Sequence, residues 1–397
     1  MIICIAGKNN IAVDSLNFLL SFIKKEKLCV LLNKTDNFQN NWQKSLGYFA
    51  KKNKIKICNL EELYLIPDLF FFSLEYDRII KVKKFKSNQL FNLHFSLLPE
   101  FKGMYTSVLP ILKNKTQSGV TLHKIDIGID TGAILFQQKI DISLNDSAKD
   151  LYDKYIQFGT KLFIENVGKI LINNYNAVEQ TYMNSSYYSK FYIDFLNIEI
   201  DFNKTAHQIY NCLRGFTFRE YQLPFYNESK IYKSEILSEK SITKPNTLIF
   251  EDDECFIIST IDYNIKLFKD YYDIFWKYCE EGDVEGVKSV LNYIPNINTK
   301  NKKGWNAIII AVYNNHLYLV KYLINLGANI LTTNYKGTNL LMYARSAGKY
   351  TKDYSMFKFL YTKEIDIEWR DDNNLSVLDY AIKDKQDLLI NIINVND

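Results

Sequence analysis

The sequence predicts an α/β amino-terminal domain built on a mostly parallel sheet, a small mostly-β domain after it, and an all-α repeat domain at the carboxyl end. Three observations carry this expectation. Short apolar runs (MIICIAG, LCVLLN, KIKIC, DLFFFSL and QLFNLHF) alternate with helical patterns over the first hundred residues, as in a parallel sheet covered on both faces. Short strand candidates (KIYKSEIL, NTLIFE, CFIIST and NIKLF) then crowd the stretch ending near residue 268. Beyond them, helical segments recur at a period near 33 residues, the mark of a stack of small helical units.

MIICIAG ends in Gly7 and runs through KNN into the helical pattern IAVDSLNFLLSFIKK. A glycine turn leading from strand to helix is a generic anion cradle, but GKNN matches neither a dinucleotide fingerprint nor a Walker loop. EELYL reads as a short helix, and MYTSVLPILKNK, residues 104–115, as another. SGVTLHKID and AILFQQKIDI read as strands around the turn IGIDTG. The long segment DSAKDLYDKYIQFGTKLFIENVGKILINN is an amphipathic helix capped by Asp146 or Ser147, both residue types that satisfy free N–H groups at a helix start. It closes a first domain, residues 1–180. Residues 181–268 comprise a polar, aromatic connector, a helix DFNKTAHQIYNCLRGF and the short strands. Residues 269–397 hold the repeats.

The formal charge of +4 over 397 residues gives no electrostatic footprint for nucleic acid. The six cysteines (Cys4, Cys29, Cys58, Cys212, Cys255 and Cys279) include no C-x-x-C pair, which favours reduced thiols over a disulfide framework or a zinc site. No apolar run suggests a membrane span, and MIICIAGKNN lacks the basic start of a signal peptide. A cytoplasmic protein without a metal is expected.

One stretch breaks the pattern. In FNLHFS, side chains alternate, so Phe91, Leu93 and Phe95 face one way and Asn92, His94 and Ser96 the other. Three polar groups on one face of a core strand cost free energy unless something satisfies them. Ser96 has no evident base and reads as a strand-end hydrogen bonder, His123 as structural, and Asp126 as a turn carboxylate.

KGWNAIIIAVYNNHLYLVKYLINLGANI (303–330), KGTNLLMYARSAG and NNLSVLDYAIKDKQDLLINII, with a degenerate earlier copy, resemble ankyrin repeats. Asn92-x-His94, SLLP, Lys102-Gly103, Gly119-Val120-Thr121 and Asp130-Thr131-Gly132, in that order, resemble the folate-dependent formyltransferases. LRGFTFREYQLP, residues 213–224, is similar to a stretch that sugar-nucleotide N-formyltransferases carry. The resemblance implies a Rossmann-like fold and N10-formyltetrahydrofolate as formyl donor. It implies as acceptor the amine of a dTDP-linked amino-dideoxy sugar, with dTDP-3-amino-3,6-dideoxy-glucose suggested by the appended repeats, in the synthesis of bacterial surface polysaccharide (O-antigen). Family members are commonly dimeric, so a homo-oligomer is expected.

The family's catalytic positions fall on Asn92, His94 and Asp130. An amide N–H suits an oxyanion, a contact of about 3–4 kcal/mol. An imidazole suits removal of a proton from the amine, and Asp130 would orient that ring or relay protons. The folate segment falls on Ser73, Leu74 and Tyr76. Lys8, Asn9, Arg214, Phe218 and Tyr221, with Phe216, are the residues suited to the nucleotide sugar: a cationic fork for phosphate and rings for a base. Trp305, Tyr313 and Arg345 are the candidates for a second ligand site on the repeats. The alternatives are a formyltransferase acting on methionyl-tRNA and a mainly protein-binding repeat protein.

Overall fold

The computed structural model describes residues 1–395. They pack as two compact units: Met1–Gln39 with Gln43–Lys269, and residues from 270 onward with Asn40–Trp42. The first unit opens with β1 (Ile2–Gly7), α1 (Asn9–Leu20), β2 (Leu28–Leu32), α2 (Leu46–Lys52), β3 (Lys56–Ile57), α3 (Leu60–Tyr64), β4 (Leu69–Leu74) and β5 (Gln89–His94). After β6 (Lys102–Gly103) and α4 (Leu109–Leu112) come β7 (Gln117–Lys124), β8 (Ile134–Asp141) and α5 (Ala148–Leu171).

One seven-stranded sheet results, in the order β3-β2-β1-β4-β5-β7-β8. Its first five strands pair in parallel, and β7 and β8 add antiparallel. The mostly parallel α/β architecture is therefore present. LFFFSL is apolar on both faces because β4 lies between β1 and β5 and is buried throughout. Phe72 stacks on Phe91 and meets Phe163 of α5 edge-on. Helix α5 starts from a reciprocal capping box, Ser147 with Asp150.

Two local readings change. Residues 104–115 hold only the single helical turn α4, because Tyr105 and Asn114 adopt left-handed backbone (φ 62° and 55°) and stop propagation at both ends. Helix α2, seven residues capped by Ser45, is additional; so short a segment leaves too few turns for a periodic pattern.

The chain continues through β9 (Tyr187–Tyr188), which pairs in parallel with β6, and α6 (Ala206–Phe216), capped by Thr205 with Gln208. A five-stranded sheet follows: β10 (Phe225–Tyr226), β11 (Ser229–Lys240), β12 (Leu248–Glu251), β13 (Cys255–Ile258) and β14 (Tyr263–Lys269), in the order β10-β11-β14-β13-β12. Ile231, Phe256, Ile258, Ile265 and Leu267 pack with Ile209 and Leu213 of α6.

The second unit is helical. It contains α7 (Tyr272–Glu281) with α8 (Val284–Val290), α9 (Ala307–Tyr313) with α10 (Leu317–Asn325), α11 (Leu340–Thr351) with α12 (Ser355–Tyr361), and α13 (Val377–Lys383) with α14 (Asp387–Val395). The repeat is visible in its caps. Asn306, Asn339 and Ser376 each stand one residue before a first helix and accept the backbone N–H three residues on.

Candidate active site

The polar face of β5 meets its partners through sheet register. Asn92 pairs with Ser73 on β4 and with His123 on β7, and His94 pairs with Thr121. On the opposite face Leu93 lies against Gly159 and Phe95 stacks on Tyr155 of α5. The alternation of FNLHF thus divides a packed side from a chemical side.

On the chemical side Asp130 is the centre. Its Oδ1 accepts from Asn92 Nδ2 at 3.1 Å, its Oδ2 lies 3.4 Å from His94 Nδ1, and His123 Nε2 lies 3.6 Å from Oδ1. Burial works to raise the Asp130 carboxyl, but the neighbouring His94 and the Gly103 N–H hold it well below the usual carboxylate range. Its contribution to stability is complete above the unfolded value of about 3.9 and is lost only as pH falls through the lower folded value. Asp130 is therefore ionised at any working pH.

That charge settles the hydrogen-bond directions around it. An ionised carboxylate only accepts, so the Asn92 amide must turn its nitrogen, not its oxygen, toward Asp130. The same nitrogen lies 3.1 Å from His123 Nε2, and His123 Nδ1 lies 2.7 Å from the Lys124 carbonyl. The carbonyl fixes the His123 proton on Nδ1, leaving Nε2 to accept from Asn92. Both amide hydrogens of Asn92 are engaged in this way. His94 Nε2 lies 2.8 Å from the Phe101 carbonyl and must donate to it, so Nδ1 is the nitrogen left to take a proton beside Asp130.

The backbone holding this arrangement is specific. Asp130 is itself left-handed (φ 54°) within the turn IGIDTG. Gln180 donates to the carbonyls of Asp130 and Gly132, and Asp126 Oδ1 accepts from Gly128 and Thr131. Gly103, on β6, gives its N–H to Asp130 Oδ2 at 2.9 Å. At φ 87° it lies so close to β9 that an added Cβ would meet the Tyr188 carbonyl oxygen at 2.3 Å. Gly103→Ala is therefore expected to shift the ribbon and lower turnover by on the order of 100-fold, the cost of a displacement near 1 Å at a reacting centre. Steady-state kinetics of a folded variant check this.

Other sequence candidates are distributed differently. Ser73 and Leu74 lie in β4, and Leu74 is wholly buried, so only its backbone can meet a ligand. Tyr76 follows, its hydroxyl pushed up to about 12 by burial. Asn9, Phe218 and Tyr221 gather around Tyr152 of α5: Asn9 donates to the Tyr152 hydroxyl, Phe218 packs 5.6 Å from its ring, and Tyr221 lies 4.7 Å from Phe218. Lys8 lies near Glu75. Arg214 stands apart from the role expected of it. It is buried, and its guanidinium donates to Asn211 Oδ1 and to the carbonyls of Ser143 and Asp146, tying α6 to the turn before α5. Phe216 packs edge-on against Phe195. Ser96 donates to the Glu100 carbonyl.

In the repeats, Trp305 lies 4.8 Å from Tyr313 and 5.3 Å from Tyr343, forming an aromatic cluster. Arg345 belongs elsewhere: it is buried and donates to the Tyr380 carbonyl, Asp384 and Gln386, which joins successive repeats.

The sequence reading passed over Glu75, between Leu74 and Tyr76. Its carboxylate accepts from Asn9 Nδ2 and the Tyr152 hydroxyl at about 3 Å. Burial nevertheless raises it, against the opposing effect of Lys8 and those two hydrogen bonds. A raised carboxyl contributes stability that is present below the unfolded value of about 4.3 and lost as pH rises through the folded value. The melting temperature of the wild type relative to Glu75→Gln is therefore expected to fall as pH is raised from about 4 toward neutrality, measured by thermal melts of both proteins.

A fold with its polar cluster at the carboxyl ends of parallel strands now has known counterparts. The formyl transferase family model matches residues 70–167, and a model of three ankyrin repeats matches residues 275–371. The chain belongs to the formyl transferase family. It is 48% identical to the N-formyltransferase of Helicobacter canadensis, solved with folinic acid and dTDP-3-aminofucose (TM-score 0.64, covering 68% of this chain and 100% of that one). It is also 48% identical to WlaRD, a sugar 3N-formyl transferase solved with dTDP and 5-N-formyl-THF (TM-score 0.64, 68% of this chain and 97% of that one). The methionyl-tRNA formyltransferase of Clostridium novyi is 30% identical over 194 residues, 48% of this chain and 62% of that protein. The chain thus spans less than two thirds of that relative's length. Among the described residues, no helix is long and apolar enough to cross a membrane.

Proposed function

We propose that the chain transfers the formyl group of N10-formyltetrahydrofolate to the amine of a dTDP-linked amino-dideoxy sugar, with dTDP-3-amino-3,6-dideoxy-glucose as the expected acceptor. The observation that carries this reading is the meeting of Asn92, His94 and Asp130 within hydrogen-bond reach at the carboxyl end of β5. The 48% identity to the Helicobacter canadensis enzyme, which holds a 3-amino sugar nucleotide, supports the class of acceptor.

The folate supplies the formyl carbon. Ser73, Leu74 and Tyr76 would hold it, and the buried Tyr76 hydroxyl, which has no partner, fits a polar ligand there. The amine nitrogen forms a bond to the formyl carbon, and the bond from that carbon to N10 breaks. His94 Nδ1 takes the amine proton, Asp130 steadies the charge this creates, and the same proton is available for N10 as it leaves. The formyl oxygen takes an N–H of Asn92, which exchanges His123 or Asp130 as its acceptor. Lys8, Asn9, Phe218 and Tyr221 flank the nucleotide sugar.

On this reading residues 1–180 carry the chemistry, 181–268 connect and complete the acceptor site, and 269–397 offer Trp305 and Tyr313 to a second ligand or a protein partner. The setting is a cytoplasmic homodimer serving surface polysaccharide synthesis. Incubation with N10-formyltetrahydrofolate and a panel of dTDP-amino sugars, with methionyl-tRNA alongside, tests it. Formamide product from a 3-amino sugar nucleotide is expected; product from the tRNA alone would overturn the assignment.

A further inference from the structure

We propose that Glu75 is the specificity-determining residue of the acceptor site, receiving the ring hydroxyl that neighbours the reacting amine. The inference rests on the formyl transfer proposed above and names a contact that reading does not contain.

The first observation is position. Leu74 ends β4 and pairs with Leu93 of β5, and Glu75 and His94 directly follow these two paired residues at the carboxyl edge of adjacent strands. Paired residues of a parallel ladder share a face, and an extended Glu75 would follow His94 toward Asp130. It does not, because its backbone is left-handed (φ 59°). That turn sends the carboxylate to the other side of the edge, toward α1 and α5, where Asn9 and Tyr152 hold it. His94 and Glu75 thereby face the edge of the sheet from opposite sides. On the proposed reading, a sugar whose amine lies by His94 presents the hydroxyl of an adjacent ring carbon to Glu75.

The second observation is cost. The carboxylate is desolvated enough to be raised despite two hydrogen bonds and a nearby lysine. Asn9, its partner, is also left-handed (φ 65°), a conformation that Asn adopts readily and Glu does not. The Glu75 carbonyl is in turn held by Asn33, which is buried and whose Oδ1 has no partner. Ordinary packing does not need a left-handed glutamate bearing a desolvated charge, whereas functional sites accumulate both.

The third observation is chemistry. A carboxylate has about four acceptor positions, and two donors engage it here. Its surroundings are aromatic: Tyr152 packs against Phe95 and Phe218, and Phe218 against Tyr221. A fixed acceptor beside flat apolar rings suits a hydroxyl on a sugar ring. It also discriminates, because only a hydroxyl that points toward it adds a third donor to the carboxylate's remaining acceptor positions.

The test compares wild type, Glu75→Gln and Tyr152→Phe on two dTDP-3-amino sugars that are epimers at the carbon next to the amine. Wild type is expected to favour one epimer by at least tenfold in kcat/KM, and Glu75→Gln to bring that ratio close to one. Tyr152→Phe, which keeps the carboxylate but loses one of its donors, should fall between them. Binding of dTDP alone, measured by calorimetry, should be the same in all three. If Glu75→Gln lowers both epimers equally, or weakens dTDP itself, the inference is overturned while the formyl transfer stands. If wild type formylates neither epimer nor any other amino sugar, the functional reading falls and the inference with it.

Discussion

His94→Ala is expected to lower kcat by about 10²- to 10⁴-fold, the usual worth of a positioned proton acceptor, with binding of dTDP unchanged. The size follows from the geometry. The Phe101 carbonyl fixes one ring nitrogen as a donor, so a single nitrogen, Nδ1, remains to take the amine proton, and it lies beside a carboxylate held in its ionised form. Truncation removes that nitrogen and the Phe101 bond together. His94→Gln keeps a donor for Phe101 without a basic nitrogen, so it should be as inactive while melting closer to wild type. Near-normal turnover in either variant would remove His94 from the chemistry.

Asn92→Ala is expected to lower kcat by about 10²- to 10³-fold, the effect of deleting one donor to a developing oxyanion. Here the amide has a second duty. It bridges His123 and Asp130, so its loss also brings two acceptors, His123 Nε2 and Asp130 Oδ1, together with nothing between them. A shift in the pH profile of kcat/KM should therefore accompany the loss of rate. Asn92→Ala with reduced rate and an unmoved pH profile would mean that the amide serves the oxyanion alone.

How much of this was legible in the chain depends on how each residue reaches the site. Asn92 and His94 are neighbours on one strand face, and period-two alternation alone brings them together. Asp130 is 36 positions further on, in a turn, and only the resemblance to a family pointed to it. His123 was read as structural because its part in the site comes from antiparallel register with Asn92, which no local pattern records. Glu75 escaped notice for a similar reason. A left-handed turn reverses the face its position would predict. Arg214 and Arg345 illustrate the opposite failing: sequence shows a charge but not its partners, and both guanidiniums donate to carbonyl and side-chain acceptors within the fold.

The fold was more legible than the site. Long buried strands and capped helices carry dense, periodic signals, and the repeats announce themselves by their period. The stretch around α4 did not, because two left-handed residues override a helical pattern that the apolar spacing alone would support.

The most direct test is a crystal structure of the chain with a dTDP-3-amino sugar and 5-formyltetrahydrofolate, a donor analogue whose formyl group sits on the wrong nitrogen to react. The amine should lie about 3 Å from His94 Nδ1, the Asn92 amide should be turned so that one N–H leaves His123 or Asp130 for the ligand, and Glu75 should touch the sugar. An amine bound far from His94 and Asp130, with the Asn92 bridge intact, would contradict the account.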